Sequence, residues 1–284
     1  MSADTQVVVD ANWLQARLGS PGLTVLDASW YLPADDRDCR AEFEASHIPG
    51  ALFFDIDTLV DEDSDLPHML PPPEAFTTAM RELGINTDDR VVVYDSAGIF
   101  SSPRAWWMLR VFGHQRVSVL DGGLPAWRAA GGTTVTAADE RGTHQRAGDF
   151  TASAPNPALL RSLEQVRDAI GSGAEQILDA RSAPRFRGEV PESRPGLRAG
   201  HMPGAFNLHY AQVLDPDTKM LLSPDILKEQ FLAAGVDLQR PLITSCGSGI
   251  SACVLSLALA YATGLDAPVY DGSWAEWGRE RICD

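Results

Sequence analysis

The chain states one pattern twice, and that repetition limits it to two copies of one domain. LTVLDASW (23–30), HIPGA (47–51), VVVYDSAGIFSSPRAWWML (91–109) and DGGLPAW (121–127) stand in the first half. QILDARS (176–182), HMPGA (201–205), PLITSCGSGISACVLSLAL (241–259) and DGSWAEW (271–277) follow in the same order in the second. The offsets are nearly constant: 152 from Asp27 to Asp179, 154 from His47 to His201, 151 from Asp95 to Cys246 and 150 from Asp121 to Asp271. A tandem duplication of a domain of roughly 130 residues explains this, and that is an ordinary domain size. The aligned pair Asp95 and Cys246 shows where the copies part: one has a nucleophile and the other does not. The expected organisation is a first domain over 1–135, a linker over 136–156 and a second, catalytic domain over 157–284.

Each half alternates short apolar runs with helical patterns, which predicts parallel sheets covered by helices. In the first half the strands are expected at 23–27, in ALFFDI, in RVVVYD and in VSVLDGG. The helices are expected at 39–45, 73–84 and 102–113. In the second half ILDA, AFNLHY, LITSC and VYD read as strands, and 162–173, 223–235 and 250–264 as helices. Gly84, Gly113, Gly235 and Gly264 sit where helix C-termini belong. The stretch from about Thr133 to Asn156 is polar and without periodicity, as a linker would be.

Charge and cysteine usage exclude several classes. The net charge of −16 argues against nucleic acid or an anionic membrane surface as partner. A small anionic substrate must therefore be captured by a local positive cluster. The longest apolar stretch, 252–262, falls short of the ~20 residues that span a bilayer. The N-terminal residues show no basic region followed by an apolar run, so no secretory leader is expected. Four cysteines, Cys39, Cys246, Cys253 and Cys283, show no metal-ligand spacing and no disulfide framework. That fits a reducing, cytoplasmic setting.

The chemistry centres on TSCGSGISA (244–252). A strand runs to Ser245, the cysteine follows, Gly247 and Gly249 flank Ser248, and an apolar helix begins near Ile250. Backbone N–H groups of such a turn converge on one spot, and the positive end of the helix adds to them. The arrangement favours a thiolate at Cys246 and an anion on its sulfur. The plainer alternative is a small core cysteine, which is also the natural reading of Cys253 inside the helix. Cys39 and Cys283 read as surface thiols.

The duplication, the paired HxPGA motifs and the strand–Cys–Gly-loop–helix element resemble the tandem-domain rhodanese sulfurtransferases over essentially the whole chain. The resemblance implies an α/β fold of two rhodanese-like domains. In the thiosulfate branch of that family the loop reads Cys-Arg-Lys-Gly. In the 3-mercaptopyruvate branch it reads Cys-Gly-Ser-Gly-Val-Thr, and here it reads CGSGIS, with Ile250 and Ser251 as conservative replacements. Elementary electrostatics agrees, because thiosulfate is a compact dianion that benefits from cations in the loop. This loop offers only the neutral donors Gly247, Ser248 and Gly249. A keto monocarboxylate needs a guanidinium fork instead.

The stretch 179–201 holds Arg181, Arg185, Arg187, Arg194 and Arg198. In an acidic chain this is a local positive cluster, and the plainer alternative is a solvated basic loop balanced by Glu189 and Glu192. By resemblance Arg185 and Arg194 match the two arginines that hold the substrate carboxylate and carbonyl, while Arg181 is expected to be structural. FFDIDTLVDEDSDLPHMLP (53–71) resembles the segment that supplies the family's Ser–His–Asp relay. The relay then falls on Ser248, His68 and Asp57, with Asp55 two residues away as the other carboxylate of the segment. Without the family, His68 would be read as a surface histidine. His47 and His201 occur in both copies and are expected to be architectural, and Trp106 and Trp107 to be packing residues.

The implied reaction moves the sulfur of 3-mercaptopyruvate to Cys246 as a persulfide, releases pyruvate, and passes the sulfur on. The acceptor is a small thiol, a thioredoxin-like protein or cyanide. No metal and no organic cofactor are expected. Thiosulfate:cyanide sulfur transfer is the nearest alternative. A cysteine phosphatase would need an arginine six residues after the cysteine, where this chain has Ala252. A non-catalytic binding module fits the first copy alone.

Overall fold

A computed structural model describes residues 6–140 and 147–279 of the chain. Cys283 lies outside them. The chain forms two compact units. The first comprises Met1–Leu59, Pro71–Asn156 and Pro216–Leu221, and the second Val60–Leu70, Pro157–Asp215 and Leu222–Asp284.

The first unit is built on β1 (Val8–Val9), β2 (Leu23–Asp27), β3 (Ala51–Phe53), β4 (Arg90–Tyr94) and β5 (Val117–Leu120). They form one sheet in the order β1-β5-β4-β2-β3, every pair parallel. Its helices are α1 (Ala11–Gln15), α2 (Cys39–Ala45), α3 (Pro73–Glu82), α4 (Ser102–Val111) and α5 (Gly123–Ala129). The second unit repeats the sheet with β6 (Leu160–Arg161), β7 (Gln176–Asp179), β8 (Phe206–Asn207), β9 (Leu242–Ser245) and β10 (Val269–Tyr270). Their order is β6-β10-β9-β7-β8, again all parallel. Its helices are α6 (Leu163–Ser172), α7 (Ala183–Arg187), α8 (Pro224–Ala233), α9 (Ala252–Thr263) and α10 (Ser273–Trp277).

Central strands such as β5 (VSVL) and β9 (LITS) are buried along their whole length, as parallel strands covered on both faces must be. The expected strands and helices all form. Periodicity missed the two-residue edge strands β1 and β6, which are too short to carry a pattern. It also missed α1, α5, α7 and α10, at five to seven residues each. Gly264, at φ +74, closes α9 in the left-handed conformation that its sequence position suggested. Trp106 and Trp107 are buried in α4, and Cys253 in α9.

The described parts of the segment 136–156, residues 136–140 and 147–156, pack against the first unit. Phe150 is buried edge-on against Phe76 at 5.8 Å, and its N–H donates to Ile85 O at 3.1 Å. Glu140 accepts the Gly50 N–H at 2.7 Å and meets His47 Nε2 at 3.1 Å. One buried aromatic and a few backbone bonds anchor a stretch whose composition is polar.

Two short arms cross between the halves of the sequence, and both are held in the same way. In the first unit, Asp121 Oδ1 accepts the N–H of Leu221 at 2.8 Å. In the second, Asp271 Oδ2 accepts the N–H of Leu70 at 2.8 Å. The duplicated Asp-Gly landmarks thus each hold one arm. His68 and Lys219, two residues before those leucines, both adopt left-handed backbone, at φ +61 and +59.

The duplicated histidines are architectural in both copies. His47 stacks on Phe43 at 4.2 Å and its Nδ1 bonds to Phe43 O. His201 stacks on Phe186 at 4.0 Å and its Nδ1 bonds to Phe186 O.

Candidate active site

Cys246 follows the C-terminal end of β9, which lies between β7 and β10 in the second sheet. That end of a parallel sheet is where ligands of α/β proteins bind. The thiol-bearing residue is 2% exposed. The loop 246–251 turns directly into α9, with Gly249 at φ +78. Only glycine adopts that conformation without strain, and its counterpart Gly98 in the first unit also has positive φ, +112.

The first unit shows what such a loop binds. Asp95, aligned with Cys246, turns its carboxylate into its own loop. Oδ1 accepts the N–H of Ala97 at 3.0 Å. Oδ2 accepts the N–H groups of Phe100, Ser101 and Ser102 at 2.9, 3.0 and 2.8 Å, and the Ser102 hydroxyl at 2.7 Å. The loop is an anion cradle, and here its anion is built in. In the second unit the residue at that position is a cysteine. Among the described residues no protein acceptor takes the N–H of Ser248, Ile250 or Ser251. Those donors are available to an anion held on the Cys246 sulfur.

Two of the residues singled out from the sequence, His68 and Arg185, approach this loop. Ser248 Oγ and His68 Nδ1 are 3.1 Å apart, and both residues are buried. His68 is therefore not the surface histidine its acidic neighbours suggested. The arm that carries it is pinned by Asp271, and also by Arg279, which donates to Asp65 Oδ2 at 2.7 Å. Arg185, in α7, brings its guanidinium to the loop: a Cβ on Gly247 would stand 3.1 Å from Arg185 Nη2. The absence of a side chain at 247 leaves room for that approach. Arg185 also pairs with Glu192, while its buried Nε finds no acceptor among the described residues. Arg194 is half-buried in the segment between α7 and β8. Asp57 belongs to the first unit, where its Oδ1 accepts the indole N–H of Trp30 at 2.8 Å. Asp55 Oδ1 caps the N–H of Asp57 at 3.1 Å.

Of the remaining arginines, Arg181 is structural. It is 2% exposed, donates to Asp179 Oδ2 at 2.6 Å and to Glu192 Oε1 at 2.7 Å, and lies 4.2 Å over the ring of Trp274. Arg187 pairs with Glu189 at the surface. His209, half-buried, has its pKa lowered, first by burial and then by the positive charge of Arg185.

Sequence reasoning gave no role to three residues that shape the site. Glu192 ties Arg181 to Arg185. Ser273 Oγ accepts the N–H of Cys246 at 3.2 Å, and Asp271 anchors the arm that ends at Leu70. The available signal was the repeated landmark itself, which reads DGG in one copy and DGS in the other. Among the described residues no group of three or more His, Cys, Asp or Glu side chains is arranged to hold a metal ion.

A model of the rhodanese-like domain matches residues 10–130 and 162–280. The 3-mercaptopyruvate sulfurtransferase of Escherichia coli (strain K12) is 44% identical over 271 residues, spanning 95% of this chain and 94% of that protein. The mitochondrial thiosulfate/3-mercaptopyruvate sulfurtransferase 1 of Arabidopsis thaliana is 42% identical over 292 residues, covering 97% of this chain and 77% of that one. The crystal structure of SseA from Escherichia coli, a 3-mercaptopyruvate sulfurtransferase, superposes with a TM-score of 0.84 at 42% identity, covering 95% of this chain and 99% of that one.

Proposed function

The chain belongs to the rhodanese family, and from that premise we propose that it is a sulfurtransferase taking sulfur from 3-mercaptopyruvate through a persulfide on Cys246. The Cys246 thiolate attacks the donor's sulfur. The carbon–sulfur bond breaks, and its electron pair passes into the enolate of pyruvate, which then takes a proton. An acceptor thiolate attacks the outer persulfide sulfur, and Cys246 leaves as thiolate. Splitting one transfer into two displacements is the benefit of the covalent intermediate.

The observation that carries the donor assignment is the guanidinium of Arg185 against Gly247, one residue from the nucleophile. A carboxylate held there by a guanidinium fork presents its own β-thiol to the loop. Arg194 is assigned the second contact, to the carbonyl. The neutral donors of the loop (Gly247, Ser248, Gly249, Ile250, Ser251) hold the transferred sulfur and its charge. Ser248 and His68 are assigned the movement of the proton that the enolate takes, which the 3.1 Å between Ser248 Oγ and His68 Nδ1 supports. The resemblance assigns Asp57 as the carboxylate of that relay, which would fix the imidazole tautomer.

Thiosulfate is the second donor to test, because the Arabidopsis relative carries both donors in its name. Initial rates with each donor, with pyruvate recorded for the first, decide between them. The expected result is a kcat/KM for mercaptopyruvate that exceeds the thiosulfate value by roughly tenfold or more, the worth of one well-placed charged hydrogen bond. A higher value for thiosulfate overturns the assignment. Small thiols, thioredoxin-like proteins and cyanide are the acceptors this chemistry suits. A reducing, cytoplasmic setting would keep Cys246 free to react. No helix among the described residues is long and apolar enough to cross a membrane.

A further inference from the structure

The turn at 271–273 bonds to Cys246 and to the arm that carries His68. Ser273 Oγ accepts the Cys246 N–H at 3.2 Å and donates to Tyr270 O at 2.7 Å. The next two N–H groups, of Trp274 and Ala275, donate to the carbonyls of Cys246 and Gly247 at 3.0 and 2.8 Å. Two residues earlier, buried Asp271 holds the N–H of Leu70. That is two positions beyond His68, whose left-handed backbone has to be held by its surroundings.

The first unit supplies an internal comparison. There Leu124 N–H donates to Asp95 O at 3.0 Å, and Asp121 holds Leu221, so the frame is the same. The residue matching Ser273 is Gly123, at φ +55. A Cβ on it would stand 2.3 Å from Asp95 O and 2.4 Å from Gly98 O. In the second unit the same left-handed position, at φ +50, holds a serine. A residue with a side chain is strained there, and glycine would not be. The copy with the nucleophile accepts that strain and gains a hydroxyl on the nucleophile's own amide.

We propose that the 271–273 turn is a positioning element for sulfur transfer, with Ser273 fixing Cys246 and Asp271 fixing the arm that carries His68. This rests on the reading of Cys246 as the nucleophile. Ser273→Gly and Ser273→Ala both remove the hydroxyl, but only the first relieves the strain. Both are expected to lose kcat to a similar degree, roughly tenfold, with KM within about threefold of wild type. Their melting temperatures should separate, with Ser273→Gly at or above wild type and Ser273→Ala below it. A merely structural serine would lose activity and stability together. Asp271→Asn should lower kcat and change its pH profile, because it loosens the histidine. Asp121→Asn, the same change in the other unit, should leave kcat within about twofold.

Wild-type kcat in both serine variants overturns the proposal, as does an equal fall in Asp121→Asn. Failure of the wild type to release pyruvate would instead overturn the donor reading. The alkylation rate of Cys246 by iodoacetamide then still tests the turn. A change of at least about threefold in Ser273→Gly but not in Asp121→Asn supports it, and unchanged rates in both overturn it.

Discussion

Cys246→Ser is expected to abolish sulfur transfer, lowering kcat by on the order of 10⁴-fold or more, as removal of a covalent nucleophile does. A hydroxyl in the same cradle cannot form the persulfide, whatever the loop does for its charge. Cys253→Ser is expected to keep most of the activity. Cys253 is fully buried in the first turns of α9, and its thiol donates to Gly249 O at 3.1 Å, a bond that a hydroxyl replaces. Its cost falls on stability, at about 1 kcal/mol. Cys39, in α2, is a poor competitor because burial, followed by the negative charge of Asp55, pushes its pKa up. Peptide mapping after mercaptopyruvate treatment should find one added sulfur on the peptide bearing Cys246. Finding it on Cys39 or Cys283 instead would overturn the assignment of the nucleophile.

The duplication made most of the fold legible, because an internal repeat is an alignment contained in one chain. It placed both sheets, and it marked Asp95 against Cys246 as the point of divergence. The chain's local patterns could not show the exchanged arms. Nothing in DEDSDLPHML or PDTKML reveals that these residues pack with the other half of the chain. The anchors are single hydrogen bonds from Asp271 and Asp121 to backbone N–H groups, and backbone bonds leave no trace in side-chain periodicity. His68 is the clearest case, since its acidic neighbours advertise a surface and only the arm's course buries it. Ser273 was hidden for the opposite reason. A serine after Asp-Gly is common turn chemistry, and its importance appears only when its φ and its bond to Cys246 are known.

Arg181→Ala and Arg185→Ala are expected to fail in different ways, although the two arginines are four residues apart in one basic stretch. Arg181 is sealed between Asp179 and Glu192, with side-chain exposures of 0%, 1% and 2% for the three. Removing it leaves the buried Asp179 carboxylate without its counter-charge and Glu192 with Arg185 alone, which costs about 3–5 kcal/mol. At ~2–4 °C per kcal/mol the melting temperature should fall by on the order of 10 °C. Arg185 has 28% of its side chain exposed, and Glu192 keeps Arg181 when Arg185 is lost. Its removal should change the melting temperature little. It should lower kcat/KM for mercaptopyruvate by roughly tenfold to a hundredfold, since hydrogen bonds to charged groups are worth about 1.5–3 kcal/mol each. Arg185→Lys should restore only part of this, because an ammonium has no fork to match a carboxylate. Differential scanning calorimetry and steady-state rates on the three variants decide it. Equal melting losses at 181 and 185, or wild-type kcat/KM in Arg185→Ala, would place the carboxylate grip elsewhere in the stretch. The asymmetry has a structural origin. Glu192 pairs with both arginines, and of the two only Arg185 is exposed, which makes it the proposed donor to the substrate.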